Sequence, residues 1–281
     1  MFKVRKSLIA LATLLSCQQT IAASESDNFQ ALLDEHWARA NQEQIFFRKD
    51  PDAFRMNGKL PEMSKKGRNR REKYNQELIS RLAKIDLNKL TAEEQITYRL
   101  FKYERQTEAK SYKQLDHFYP MNYYSGFHSY FAGAPANMSF LTQKDYENYL
   151  ISLADFPRYN QEHIVDLTDA IKQGHTHYCD TFKGYDKSIS KHLVDKIEDS
   201  VFYAPLNNLP KQITAADKAR IKLTASKLIK EKVIPEYQKF YDFFTKEYMT
   251  NCRTTVGISD IAGGEEYYQY LIEFYTTTDM K

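Results

Sequence analysis

Apolar residues in this chain recur at intervals of three and four, and nowhere alternate for long enough to build a sheet. That period puts them on one face of an α-helix, whereas a half-buried strand needs a period of two. Phe29, Leu32, Leu33, Trp37 and Ala40 form a first stripe, on a helix over about 26–46. Tyr74, Leu78, Leu82 and Ile85 form a second, over 68–85, and Asp50-Pro51-Asp52 starts a short helical turn between the two. Thr91-Ala92-Glu93-Glu94 is a capping box, in which the Thr oxygen and the Glu carboxylate satisfy each other's orphan backbone donors, so a helix should run from there to about Lys113. Thr142 to Asp145 caps the next, with Tyr146, Tyr149, Leu150 and Leu153 as its apolar face. Pro157 is expected to reset the chain before a helix over 159–172 that Gly174 closes. A short helix near 188–199 follows, and then the longest element, over 215–249, capped by Thr214 and kinked at Pro235. No Gly/Ser- or Pro-rich linker interrupts this series and nothing repeats at a solenoid period. The expectation is an all-α, irregular multi-helix bundle in one domain over 24–281.

Residues 1–23 stand apart as an export signal. Lys3, Arg5 and Lys6 precede a short apolar run, Leu8 to Leu15, and Thr20-Ile21-Ala22 ends on a small residue. The run is too short to span a bilayer, which takes about 20 residues. Leu14-Leu15-Ser16-Cys17 also resembles a lipobox, in which case Cys17 would be acylated and become the first mature residue. Two localisations stand: soluble in the periplasm, or held at a membrane through a lipid on Cys17 alone. A net charge of +3 is too mild to argue for nucleic acid. Cys179 and Cys252 could pair in an oxidising compartment or remain two separate thiols.

The familiar catalytic templates are absent: no H-E-x-x-H, no Gly-rich phosphate loop, no G-x-S-x-G elbow and no C-x-x-C. None of the seven histidines has another at i+4 on a helix. The best local metal candidate is the weak set His175, His177 and Cys179, alternating in "GHTHYCD". The same segment also reads as a solvated loop past a helix C-terminus, where the dipole favours His. "SKKGRNRREK" (64–73) carries six Lys/Arg and reads as a solvated face. "HFYPMNYYSGFHSYFAG" (117–133) crowds seven Phe/Tyr and two His around Ser125-Gly126. A loop this aromatic either plugs the core or lines a groove where Tyr hydroxyls and His128 meet a ligand.

The closing "GGEEYYQYLIEFYTTTDM" resembles a signature, Gly-x-x-x-Tyr-Tyr then Thr-Thr-Thr-Asp, of the bacterial domain-of-unknown-function family 885. Three earlier stretches agree in order: "KDPDAFRMNGKLPEMS" is similar to the family's opening Asp-Pro turn, "YPMNYYSGFHSYF" to its Ser-Gly-x-His loop, and "TQKDYENYLISLADFPRYNQEHI" to a helix leading into a proline. The resemblance implies an exported, often lipoprotein-tagged protein that looks like a zinc metallopeptidase, with a gluzincin-like helical fold about twice this length. Its metal motif, H-E-x-x-P-G-H, would lie downstream of the Thr-Thr-Thr-Asp segment, where Asp279 is a ready N-cap for a further helix. Zinc is therefore implied for the full-length family and not for these residues. The matching positions Ser125, Gly126, His128, Gly263, Tyr267 and Tyr268, with Tyr123 and Tyr124 of the aromatic loop, become substrate-groove candidates. No catalytic residue is assigned.

The expectation is an exported N-terminal, substrate-groove half of a zinc-peptidase-like protein, incomplete at its C-terminus and inactive alone, whose partner would be a separately encoded second half. The alternative is a non-catalytic periplasmic helical module for peptides or polar polymers. A complete enzyme working through His175, His177 and Cys179 is the third reading.

Overall fold

The computed structural model describes residues 24–43, 58–278 and 280. The expected turn at Asp50-Pro51-Asp52, the lipidation candidate Cys17 and the cap Asp279 lie outside the described residues. Helices dominate the described chain, its one sheet is a hairpin of two two-residue strands, and the helices gather around two apolar cores.

The smaller core is built by α1 (Glu25–Glu43), α2 (Lys65–Leu82) and α3 (Ala92–Ser111). Phe29 and Leu32 of α1 meet Leu78 and Leu82 of α2 and Tyr98 and Phe101 of α3. Trp37, on the expected stripe of α1, is 55 % exposed. The Tyr98 hydroxyl donates to the Leu82 carbonyl at 3.2 Å, and the Asn75 amide donates to that of Arg105 at 2.8 Å. The capping box at Thr91 and Glu94 is formed as expected.

A hairpin follows, β1 (Met121–Asn122) paired antiparallel with β2 (Ser125–Gly126), and leads into the short α4 (Phe127–Gly133). The larger core surrounds α5 (Gln143–Gln173), α6 (Asp186–Ser190) and a continuous rod of α7 (Ala215–Leu228) and α8 (Ile234–Phe243). Two wide π turns, Ile229–Val233 and Phe244–Tyr248, interrupt that rod. α5 does not restart at Pro157; it runs through it as one helix. The cost of the missing amide and the ring clash, about 3 kcal/mol in an isolated helix, is outweighed by burial on both sides. Phe156 and Tyr159 flank the proline at 1 % and 2 % exposure, and Phe156 stacks on Phe131 with centroids 4.0 Å apart. Pro235 likewise does not break its rod, which runs on through it directly after a π turn.

Many of the tyrosines have their bodies in this core and their tips on backbone carbonyls. Tyr149 donates to Phe202, Tyr237 to His128 and Tyr185 to Ser125, each at 2.7 Å. Such a ring buries a large apolar area without leaving its hydroxyl unpaired. Cys179 and Cys252 form a disulfide that closes a 73-residue separation, reinforced by Cys179 N–H to the Arg253 carbonyl and Arg253 N–H to the His177 carbonyl, both at 3.0 Å. Finally α9 (Gly264–Thr276) starts at Gly263, whose φ of 71° is the left-handed conformation glycine adopts without a steric penalty.

Candidate functional site

A cleft opens between the two cores, where the first turn of α2, the 111–120 loop and the second half of α5 approach one another. It consists of two adjoining cavities of about 540 and 460 Å³. Both share Met63, Arg68, Asp116, His117 and Asp166 as walls, so these five residues form the junction.

The segment before α2 is fastened to α5, which sets one wall. Asp155 accepts from the Leu60 amide at 2.9 Å and Glu162 from the Met63 amide at 2.6 Å, while Arg158 bonds both carboxylates and the Leu60 carbonyl. Ser64 caps α2 by accepting from Gly67 N–H at 3.1 Å. The basic run that opens α2 is only partly a solvated face. Arg70 pairs with Glu62, Arg71 donates to the Glu62 carbonyl at 2.7 Å, and Arg68 reaches into the cleft.

At the junction Arg68 lies 2.6 Å from Asp166 and donates to the Met63 carbonyl. Burial pushes the Asp166 carboxyl up to about 6, with the Arg68 hydrogen bond opposing it. Asp116 receives the hydroxyls of Tyr267 at 2.8 Å and Tyr270 at 3.0 Å. Burial raises its carboxyl and the two phenols pull it back, but no cation lies within ion-pair distance of it among the described residues. Burial, then Arg68, drives the His117 imidazole down to about 4.

The smaller cavity is apolar beyond the junction. His163 stacks on Phe127 with centroids 4.2 Å apart and meets the edge of Tyr159 at 4.6 Å. It is 3 % exposed, neither ring nitrogen has a hydrogen-bond partner among the described residues, and burial drives it down to about 3. Tyr130, 51 % exposed, stands at the rim. The junction and the smaller cavity thus present one ion pair, one carboxylate held only by neutral donors, two uncharged imidazoles and an aromatic wall.

None of the eight groove candidates read from the sequence lines either cavity. Tyr123 and Tyr124 sit at the hairpin tip, 71 % and 68 % exposed, where Asn122 Oδ1 accepts from the Tyr124 and Ser125 amides. The Ser125 carbonyl takes the Tyr185 hydroxyl, and Gly126 packs so closely that an added Cβ would lie 2.5 Å from that same oxygen. His128 is fully buried beside the larger core, its Nε2 within 3.0 Å of Ser188 Oγ and 3.1 Å of Ser129 Oγ. Gly263 starts α9, Tyr268 faces outward at 56 % exposure, and Tyr267 acts on the cleft indirectly, by holding Asp116. The aromatic loop therefore plugs the core through part of its length, while His117, Phe118, Pro120, Phe127 and Tyr130 line the cleft.

Sequence reasoning missed Asp116, Arg68, Asp166 and His163 as a group. Their separations in the chain hide the contact, since Asp166 lies 98 positions after Arg68. A charged residue on the buried face of a long amphipathic helix was the one available signal, and Asp166 is such a residue.

The weak metal set fails on its donors. Cys179 is oxidised to the disulfide, and His177 Nδ1 is 2.6 Å from the Tyr248 hydroxyl. Burial drives the His177 imidazole down to about 4, while His175 lies against Phe118, stacked at 5.2 Å. Among the described residues no three His, Cys, Asp or Glu side chains are grouped to hold a metal ion. No helix of the described residues is long and apolar enough to cross a membrane.

Comparison with known proteins adds a family and a fold. The model of a family described as "Bacterial protein of unknown function (DUF885)" matches residues 47–281. No curated protein matches the chain. A crystal structure from Colwellia psychrerythraea, titled as that of a "putative lipoprotein", superposes with a TM-score of 0.69 at 14 % identity. The likeness covers 92 % of this chain and 47 % of the other, so the chain spans about half the length of that structure.

Proposed function

The chain belongs to the bacterial DUF885 family, and from that premise we propose that it is an exported protein whose cleft recognises peptide-like ligands. The observation that carries this reading is the pair of adjoining cavities. A charged junction next to an aromatic wall is the arrangement that orients an extended chain by its backbone and selects it by a side chain. Export is supported by residues 1–23, by the disulfide, which persists in oxidising compartments, and by the lipoprotein name of the structural relative. Release into the periplasm and anchoring through Cys17 are both compatible with this reading.

The zinc implied by the family resemblance finds no ligand set among the described residues, so we assign these residues recognition and route no chemical step through them. Any hydrolysis would depend on ligands from elsewhere, including a separately encoded second half. A self-standing binding module, holding its ligand in the two cavities without chemistry, is the second reading.

Calorimetric titration of the purified chain with pooled short peptides, with and without zinc, tests the proposal. Saturable binding is expected, weakened roughly fivefold to tenfold by Tyr130→Ala, which removes a rim ring. Tyr123→Ala, at the hairpin tip, should leave it unchanged. Absence of binding under both conditions would overturn the reading, and zinc-independent binding would favour the module over the half-enzyme.

A further inference from the structure

Most of the carboxylates that line the larger cavity are already paired: Asp166 with Arg68, Glu43 with Arg39 and Arg70, and Asp169 with Lys172. Arg71 is directed to a backbone carbonyl. His117 and His163 add no positive charge, because burial holds both imidazoles neutral near pH 7. What remains without a counter-ion at the junction is Asp116. Its two hydrogen bonds come from phenols, and no cation in the described residues reaches it. A partly buried carboxylate satisfied only by neutral donors gains from an added cation, more than an exposed one does, since water screens it less.

Asp116 also borders the smaller cavity, so whatever it holds is adjacent to the apolar wall. That wall is made of flat surfaces: Phe127 and His163 stacked together, and Tyr159 set across His163 at 87°. His163 is 3 % exposed with both nitrogens unbonded among the described residues, so it is a neutral aromatic face in a place where a polar side chain without a partner costs stability. A cavity of about 460 Å³ walled in this way admits a six-membered ring and offers it edge and face contacts.

We propose that the cleft is built for a ligand that joins a primary ammonium group to an aromatic ring a few bonds away, the ammonium on Asp116 and the ring against Phe127, Tyr159 and His163. This deepens the peptide-recognition reading and rests on it. A peptide whose first residue is aromatic has this chemistry, and so does a free arylalkylamine.

Calorimetry on the full chain separates the elements of the claim. Phenylalanyl-glycyl-glycinamide is the reference ligand, with its N-acetyl form, alanyl-glycyl-glycinamide and phenethylamine as comparisons. Acetylation, which removes the ammonium, and alanine, which removes the ring, should each weaken binding about tenfold or more. Asp116→Asn should abolish the effect of acetylation while leaving the preference for phenylalanine over alanine. Binding of phenethylamine as tight as that of the peptide identifies a small amine as sufficient; tighter peptide binding identifies the amino terminus of a chain. The ligand comparison needs no variant, so a poorly folded Asp116→Asn does not block the test. Peptides that bind equally well acetylated, or with alanine first, overturn this inference alone. Failure of every pooled peptide to bind overturns the reading beneath it as well.

Discussion

Gly126 shows how a residue shared with a family motif can be structural. Its backbone is extended, so φ is not the constraint; space is. A Cβ there would sit 2.5 Å from the Tyr185 hydroxyl and 2.8 Å from Met121 Cβ. Gly126→Ala should lower stability by about 1–3 kcal/mol, the usual range for overpacking, visible as a reduced denaturant midpoint with an unchanged slope. An unchanged midpoint would mean that Tyr185 yields without cost. The neighbouring His128 belongs to the same tightly packed corner, with its carbonyl taken by Tyr237. The sequence marked these positions by resemblance, which reports that a residue matters and not why. Asp116 and Asp166 carried no such mark, because what sets them apart is burial and distant partners.

At the scale of elements, caps and stripes were legible and proline effects were not. Thr91 with Glu94, Thr142 with Asp145, and Thr214 all cap helices as their local chemistry dictates, because a capping box involves only residues three apart. Pro157 reads locally as a restart and Pro235 as a kink or break, because a local rule cannot weigh one lost hydrogen bond against rings from other helices. The disulfide was likewise undecidable, since pairing requires that Cys179 and Cys252 lie close, and their Cα separation of 5.2 Å comes from the tertiary fold. Its stabilising effect follows from the loop it closes. Chain-entropy reasoning gives about 4 kcal/mol for a 73-residue separation. Unfolding in the presence of a strong reductant, or of Cys179→Ser with Cys252→Ser, should show a loss of that order. A loss below about 1 kcal/mol would show that the Arg253 backbone bonds hold the two segments together unaided.

Burial favours the uncharged form of six histidines spread through the molecule. Burial lowers His128 and His163 to about 3 and His117, His177 and His192 to about 4, against an unfolded value near 6.5. Depressed imidazoles make the native state bind fewer protons than the unfolded chain, so stability is full above about pH 6.5 and declines as pH falls toward 4. Asp166, raised to about 6, acts in the opposite direction with a single proton, and its contribution declines as pH rises through that value. The melting temperature should therefore fall steeply between pH 6.5 and 4.5, with net uptake of several protons on unfolding. A flat profile across that window would contradict the burial of these rings. The all-α architecture itself was legible because periodicity is a property of every helix separately. The cleft was not, because it is a space between helices.

One consequence concerns Tyr267 and Tyr270. Their hydroxyls dock α9 on the carboxylate that borders both cavities, while Tyr268, Phe274 and Tyr275 of the same helix face outward. A ligand that competes for Asp116 loosens that docking, and thermodynamic reciprocity then fixes the converse. Any partner that grips the outer face of α9 and shifts it must change affinity in the cleft by the same factor, so the final helix is a lever through which a second protein could tune what the first one holds.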